Sequence, residues 1–156
     1  MTAPFRVAVD RQSPAIFRAM AGVVAQVRTA AEEAGLDRRL LELVNVRVSQ
    51  INRCAYCLDL HSVKAYEAGE TEQRLAVLPA WREVDLFTPR EQAALEIAET
   101  VTLVADAHLD DAAYAPLRRH LDDDQISVLV WAAVTINAYN RVSILSGHRV
   151  RERGGR

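Results

Sequence analysis

Two cysteines and a histidine follow one another at helical spacing in the segment RCAYCLDLH, residues 53–61. Cys54, Cys57 and His61 are three and four residues apart, so a helix places all three on one face. Such a set can act as a redox couple with a proton shuttle, as part of a zinc site, or as buried core residues. The chain contains no other cysteine, so thiol chemistry within one chain depends on this pair.

The position of Cys57 favours thiolate chemistry. We expect Asn52 to cap a helix over residues 53–68. Cys57 then lies in the first turns of that helix, where unpaired amides, the helix dipole and a protonated His61 stabilise a thiolate. The thiolate is the nucleophilic form of cysteine. Cys54 lies where the backbone can tighten at the helix start, so the two sulfurs can approach and form a disulfide.

A carboxylate upstream can orient the histidine. If the helices before and after Asn52 form a hairpin, Glu42 lies ten residues before the turn and His61 lies nine after it. At about 1.5 Å per residue, the two positions are nearly level. The spacing therefore predicts a relay in which Glu42 fixes the tautomer of His61 and His61 exchanges a proton with Cys57. Cys54 serves as the second sulfur.

Composition limits the class of protein. The 156 residues are 50% hydrophobic and 26% charged, which predicts a single domain over residues 1–156. A formal net charge of −2 gives no basic surface for nucleic acid or an anionic membrane. The N-terminal segment lacks the pattern of a secretory signal, and the apolar run at 128–134 is much shorter than the roughly 18 residues of a membrane span. We expect a cytoplasmic protein without nucleic-acid or membrane partners.

Helix signals recur along the chain, and the short piece at residues 7–9 is the one strand-like exception. Ser13–Pro14 opens the first long helix, and Thr88–Glu91 combines a capping box with a first-turn proline. The acidic run at 122–124 suits the positive end of a long final helix that ends at Gly147. The pattern predicts an all-α bundle of about seven helices, with the cysteine pair at the start of a central helix.

The final helix is expected to make contacts on several sides. Residues 126–136 are apolar nearly all round, which is typical of a helix with several partners and favours a homo-oligomer. Asn137, Asn140 and Arg141 interrupt this pattern and predict hydrogen bonds within the fold or between subunits. The aromatic residues expected to pack are Tyr56, Trp81 and Trp131.

The spacing of Glu42, Cys54-x-x-Cys57 and His61 resembles the active-site signature of the alkylhydroperoxidase D and carboxymuconolactone decarboxylase-like superfamily. The similarity covers most of residues 35–145. The flanking segments that carry it are ELVNVRVSQINRCAYCLDLHSVKAYEAGETEQRL at 42–75, AWRE at 80–83, FTPRE at 87–91 and TINAYNR at 135–141.

This resemblance implies an all-helical subunit that forms trimers or hexamers and acts as a thiol peroxidase on hydroperoxides. It also implies that Cys57 attacks the hydroperoxide, that Cys54 resolves the product as a disulfide, and that an external dithiol restores the pair. The chain departs from the best-known peroxidases of the group, which have a histidine where Tyr56 stands. Decarboxylases of the superfamily lack the cysteine pair, so its presence argues against lactone decarboxylation.

Two other functions are alternatives. The same pair can serve a thiol-disulfide oxidoreductase or redox sensor without efficient peroxidase activity. A zinc-binding or purely structural helical module is the second alternative, with Cys54, Cys57, His61 and Glu42 as ligands. Ligands on one helical stripe do not usually close a tetrahedron, which disfavours zinc. We expect neither a metal nor another cofactor.

Overall fold

The computed structural model describes residues 5–153, and this range contains eight α-helices, one 3₁₀-helix and no strand. The all-α prediction is confirmed, with one short helix more than the seven or so expected. In chain order the α-helices are α1 (Val9–Gln12), α2 (Pro14–Glu33), α3 (Arg38–Ile51), α4 (Ala55–Glu67), α5 (Glu72–Val77), α6 (Pro89–Thr102), α7 (Asp111–Leu117) and α8 (Asp123–Ser146). The 3₁₀-helix, Leu78–Glu83, follows α5 directly.

The strand-like piece predicted at residues 7–9 is wrong, because α1 begins at Val9. The backbone N–H of Val9 donates to Oγ of Ser146 at 3.0 Å, and Arg6 donates to the carbonyl of Ile144 at 3.4 Å. The segment is therefore held against the end of α8 rather than by a neighbouring strand. No second strand lies in the described range to pair with it.

Capping residues set the ends of two long helices as the sequence predicts. Oγ1 of Thr88 accepts from the N–H of Glu91 at 3.2 Å, and the Glu91 carboxylate accepts from the N–H of Thr88 at 2.8 Å. Asp122 and Gln125 form the same reciprocal capping box at the start of α8. Gly147 ends α8 with φ 68°, a left-handed conformation that glycine adopts without steric cost.

Helices α3 and α4 form a hairpin whose turn differs from the prediction. Asn52 does not cap α4; it ends α3, and its side-chain amide donates to Asn137 at 2.8 Å and Asn140 at 2.9 Å. Arg53 has a positive φ of 54°, and Cys54, with an extended backbone, is the N-cap of α4. The predicted cap is wrong because α8 offers the Asn52 amide two acceptors that lie far away in sequence.

Helix α3 is the central wall of the bundle, packed against α4, α6 and α8. Eight of its fourteen residues are buried, among them Leu43, Val44 and Val48. Each fully buried side chain of this kind stabilises the fold by about 1.5–3 kcal/mol. Glu42 lies on this helix, so a rigid and well-packed element holds its carboxylate.

Helix α8, with 24 residues, is long and apolar enough, by length and composition alone, to cross a membrane. Its packing is that of a core helix, because it lies against α2, α3 and α6. Leu129 and Ala133 are fully buried in the core. Asn140, also fully buried, forms hydrogen bonds with α3 and the turn after it.

The three aromatic residues that were predicted to pack behave differently. Trp81 is buried, and its indole N–H donates to Oε1 of Glu99 at 2.9 Å. Tyr56 is 39% exposed and meets the ring of His148 edge-on, with ring centroids 5.2 Å apart. Trp131 is 57% exposed, so the packing prediction is wrong for Trp131 within this chain. It lies on a face of α8 that the neighbouring helices do not cover.

Candidate active site

Glu42 and His61 meet across the α3–α4 hairpin. Nδ1 of His61 lies 2.6 Å from Oε2 of Glu42, and Nδ2 of Asn45 donates to the same oxygen at 3.3 Å. The two side chains are largely buried, with exposed fractions of 12% for His61 and 5% for Glu42. Their nearly level positions in the hairpin, ten residues before the turn and nine after it, make this contact possible.

The environment of Glu42 keeps it ionised. Burial alone raises the pKa of this carboxyl, but the hydrogen bond and charge of His61, the Asn45 amide and the field of Lys64 outweigh burial and lower the pKa. A carboxylate only accepts hydrogen bonds, so Nδ1 of His61 must carry the proton and donate it. Nε2 of a neutral His61 then holds the lone pair, which makes it the ring nitrogen able to take up a proton.

The cysteine pair lies in the first turn of α4. Cys54 is the N-cap and Cys57 is the third residue of the helix, and both are buried free thiols. Burial, followed by the hydrogen bond to Cys57, raises the pKa of Cys54 to about 12. Cys54 therefore stays protonated at neutral pH and is suited to act as a thiol rather than as the first thiolate.

Ser143 of α8 is a site residue that the sequence analysis missed. Sγ of Cys57 lies 3.7 Å from Oγ of Ser143, although the residues are 86 positions apart. The hydroxyl of Ser143 also lowers the pKa of Cys54, so it lies close to both sulfurs. One sequence signal was available: Asn137, Asn140 and Ser143 recur every three residues along α8, and all three are buried polar residues.

A buried hydrogen-bond network fixes α8 against the α3–α4 turn, which immediately precedes Cys54 in the chain. Nδ2 of Asn140 donates to Ser49 at 3.1 Å, while its Oδ1 accepts from Asn52 at 2.9 Å. Oδ1 of Asn137 accepts from Asn52 at 2.8 Å and from Arg141 at 2.9 Å. These contacts confirm the prediction of hydrogen bonds within the fold. They also hold α8 in the register that brings its next turn to the sulfurs.

A cavity of about 720 Å³ opens beside these residues. Cys57, His61 and Glu42 line it, together with Ser143, whereas Cys54 does not. Much of the remaining wall is apolar and comes from α2 and α8, including Val24, Val27, Ala132, Ile136 and Tyr139. A small molecule in this cavity therefore meets the sulfur of Cys57, not that of Cys54.

The predicted site residues do not form a cluster of metal ligands. Within residues 5–153, no group of three or more His, Cys, Asp and Glu side chains is arranged to hold a metal ion. Oε2 of Glu42 already accepts hydrogen bonds from His61 and Asn45. The zinc alternative finds no support in this geometry.

Fold and site together define a helical protein with a Cys-x-x-Cys pair and a His–Glu pair beside one cavity. The carboxymuconolactone decarboxylase family model matches residues 14–100, more than half of the chain. The chain therefore belongs to the carboxymuconolactone decarboxylase family, within the superfamily that also contains the alkylhydroperoxidase D-like proteins.

Two bacterial proteins are similar to this chain in sequence. The uncharacterized protein YdfG of Bacillus subtilis is 42% identical over 118 residues, which are 76% of this chain and 80% of that protein. The uncharacterized protein YnjA of Escherichia coli is 33% identical over 94 residues, which are 60% of this chain and 51% of that protein.

A solved structure supports the same assignment. The crystal structure of ATU0492 from Agrobacterium tumefaciens, a protein of unknown function provisionally assigned as the antioxidant defence protein AhpD, has a TM-score of 0.86. It is 30% identical in sequence, and the match covers 95% of this chain and 99% of that one. The family, the AhpD-like fold and the cysteine pair are consistent with a redox role.

Proposed function

We propose that the protein is a thiol-dependent peroxidase that reduces hydroperoxides through Cys57 and Cys54. The observation that carries the proposal is the lining of the cavity: Cys57 faces it together with His61, whose Nδ1 is held by Glu42, whereas Cys54 is excluded. An incoming oxidant thus meets one sulfur and one base at the same time.

The first step is attack on the oxygen–oxygen bond. Nε2 of His61 takes the proton of Cys57, and the resulting thiolate attacks the outer oxygen of the hydroperoxide. The sulfur–oxygen bond forms as the oxygen–oxygen bond breaks, which leaves a sulfenic acid on Cys57 and an alkoxide. Protonated His61 returns the proton to the alkoxide, so an alcohol leaves. Glu42 stabilises the imidazolium between these two transfers.

The second step closes the disulfide. The Cys54 thiol attacks the sulfenic sulfur of Cys57, and water leaves with the proton of Cys54. An external dithiol then reduces the disulfide by exchange and is itself oxidised to a disulfide. The raised pKa of Cys54 supports this order, because Cys54 remains a thiol while Cys57 reacts.

Tyr56 and Ser143 affect proton transfer and thiolate stability in the proposed mechanism. Tyr56 replaces the histidine found before the second cysteine in the best-known peroxidases, so the relay in this chain depends on His61 alone. Ser143 compensates in part: its hydroxyl can donate to a thiolate on Cys57 from 3.7 Å. We assign Ser143 a positioning role, because it acts through the sulfur rather than on the substrate.

We further propose that the protein is a single domain, that it is located in the cytoplasm, and that it forms a homotrimer or homohexamer. Large exposed apolar side chains on α8 support assembly, since an apolar patch on the surface marks an interaction site. They are Trp131, Val134 and Leu145. Analytical ultracentrifugation tests the assembly, and a monomer at micromolar concentration would contradict it.

A thiol-disulfide oxidoreductase or redox sensor is the second candidate. The residue before Cys57 favours it: Tyr56 stands where the best-known peroxidases of the superfamily have a histidine, so a hydroperoxide meets one proton relay fewer. Such a protein would exchange readily with dithiols and disulfides but react with hydroperoxides no faster than free cysteine.

Titration of the reduced protein with cumene hydroperoxide separates the two candidates. A peroxidase forms one Cys54–Cys57 disulfide and one cumyl alcohol for each hydroperoxide consumed, at a rate far above that of free cysteine. Rapid-quench alkylation followed by mass spectrometry measures both products. A rate equal to that of free cysteine, together with fast oxidation of the pair by glutathione disulfide, would favour the oxidoreductase.

A further inference from the structure

One face of α4 lines the cavity from the sulfur to a cation. Leu60, His61 and Lys64 lie three, four and seven positions after Cys57, so all four share one face of the helix, and all four contribute to the cavity wall. The reactive end of this stripe is Cys57 and its charged end is Lys64. Seven residues separate them, so at about 1.5 Å per residue they lie roughly 10 Å apart along the helix axis.

Lys64 is the one lysine in a chain whose other eighteen basic residues are arginines. It is partly buried, and no ion pair joins it to a carboxylate in residues 5–153. Its field reaches Glu42, but the hydrogen bonds of the Glu42 carboxylate come from His61 and Asn45. The ammonium of Lys64 thus remains available to an anion inside the cavity.

The other two basic residues on the cavity wall, Arg28 and Arg38, each have an acidic residue beside them. Arg38 pairs with Glu67 at 3.5 Å. Arg28 and Glu32 both line the cavity and lie four residues apart on α2, so their charges largely cancel for a ligand. Lys64 differs from both in its place: it is the cation of the cavity wall that lies on the same face of α4 as Cys57 and His61.

Apolar side chains from two other helices form much of the rest of the cavity wall. Val24 and Val27 come from α2, and Ala132 and Ile136 come from α8. A cavity of about 720 Å³ is in the size range of sites that enclose a drug-sized molecule. Hydrogen peroxide would leave nearly all of this apolar surface without a contact, whereas a hydrocarbon chain would cover it.

We propose that the cavity binds an amphipathic organic hydroperoxide with an acidic group, of the fatty-acid class. Its carboxylate pairs with Lys64, its hydrocarbon chain lies along the apolar wall, and its hydroperoxide reaches Cys57. The inference rests on the proposed peroxidase function and names the substrate class. The chemistry is unchanged: the outer peroxide oxygen passes to Cys57 and the remaining hydroxy acid leaves.

Binding of unreactive analogues tests the ligand class without any turnover. Cys57→Ser protein is titrated calorimetrically with decanoate and, separately, with 1-decanol, both below micelle-forming concentrations. We expect decanoate to bind about tenfold more tightly than decanol, because a charge-assisted hydrogen bond contributes roughly that factor. Equal affinities, or no binding of decanoate, overturn the proposal.

Variants of the basic residues locate the contact. In the same background, Lys64→Met should lower the decanoate affinity about tenfold and leave decanol binding unchanged. Lys64→Arg should keep most of the affinity. Arg38→Met is the matched control, since Arg38 lines the same cavity but already pairs with Glu67. A decanoate affinity that Lys64→Met leaves unchanged, or that Arg38→Met lowers equally, contradicts the assignment.

Kinetics with the wild-type protein distinguish failure of this inference from failure of the proposed function. Linoleic acid hydroperoxide should oxidise the cysteine pair about tenfold faster than its methyl ester. Equal rates with the acid and the ester refute the acidic-substrate inference and leave the peroxidase proposal intact. If decanoate binds through Lys64 but no hydroperoxide oxidises the pair, the ligand class stands and the peroxidase proposal fails.

Discussion

Glu42 and Glu91 are both buried carboxylates, but their partners differ in kind. Glu91 accepts from the guanidinium of Arg74 at 2.7 Å and from the N–H of Thr88 at 2.8 Å. Glu42 accepts from the imidazole of His61 at 2.6 Å. A guanidinium keeps its charge at every physiological pH, whereas an imidazole has a second ring nitrogen that can take up and release a proton. Glu91 is therefore suited to holding the fold together and Glu42 to proton exchange.

The location of the two carboxylates reinforces this difference. Arg74 also pairs with Glu70, and this cluster joins α5 to the start of α6 without lining the cavity. Glu42 lines the cavity that contains Cys57. Burial of a carboxylate thus gives no information about function by itself. The titratable partner and the adjoining cavity identify the site that can carry out chemistry.

The largest expected effect is the loss of folding stability when Arg74 is replaced. Arg74→Met should lower the free energy of unfolding by about 3–5 kcal/mol, because Glu70 and Glu91 are left as buried charges without their partner. The rate of thiol oxidation per folded molecule should not change. Urea unfolding and rapid-quench kinetics on the same samples measure the two quantities.

Arg118→Met is the control for this substitution. Arg118 pairs with Asp123 on the surface, where both side chains are more than half exposed. Loss of such a pair should cost less than about 1 kcal/mol. A tenfold fall in the rate of thiol oxidation in Arg74→Met would contradict the assignment of Glu91 to stability alone and of Glu42 to proton exchange.

The second largest effect is on the rate of thiol oxidation when Glu42 or His61 is replaced. Glu42→Gln and His61→Gln should each slow oxidation of the pair by hydroperoxide about 10²-fold, because the relay then lacks either its base or the group that orients it. Circular dichroism and urea unfolding serve as controls for folding. If both variants oxidise the cysteines at the wild-type rate, Glu42 and His61 have only a packing role.

A smaller effect is expected at Ser143. Ser143→Ala removes the hydroxyl 3.7 Å from Sγ of Cys57, and the loss of a hydrogen bond to a charged group should slow oxidation about tenfold. It should also slow alkylation of Cys57 by iodoacetamide at neutral pH, because the hydroxyl no longer donates to the thiolate. Ser127→Ala, on the exposed face of the same helix, is the matched control. An unchanged alkylation rate in Ser143→Ala would remove Ser143 from the proposed site.

The smallest effect appears in the pH dependence of stability. Burial alone raises the pKa of Glu91, but the hydrogen bond and charge of Arg74 and the cap contacts with Thr88 outweigh it and lower the pKa. A carboxyl with a lowered pKa in the folded state stabilises the protein above its ordinary pKa and loses this contribution as the pH falls. The stability difference between wild type and Glu91→Gln should thus be greatest at neutral pH and shrink below about pH 4.5. A difference that stays constant down to pH 3 would contradict this assignment.

The parts of the fold that depend on nearby residues could be predicted from the sequence. The capping boxes at Thr88 and Asp122 and the stop at Gly147 act within a few residues, so local chemistry specifies them. The contact between Glu42 and His61 could also be predicted. It requires only a hairpin of two helices, in which residues at equal distances from the turn lie side by side.

Contacts between distant segments could not be predicted in this way. Asn52 bonds to Asn137 and Asn140, 85 and 88 residues away, instead of capping the next helix. Ser143 meets Cys57 only because that network sets the position of α8. The exposure of Trp131 depends on which face of α8 is left uncovered, and the pattern of residues along one helix does not specify that.

In the proposed mechanism Cys57 is the sulfur that attacks the hydroperoxide and Cys54 the one that resolves the sulfenic acid. Dimedone trapping after a brief pulse of cumene hydroperoxide, with the adduct located by tandem mass spectrometry, tests it most directly. Cys54→Ser should give a dimedone adduct on Cys57, and Cys57→Ser should give none. An adduct on Cys54 in the Cys57→Ser variant, with none on Cys57 in the other, would contradict the account.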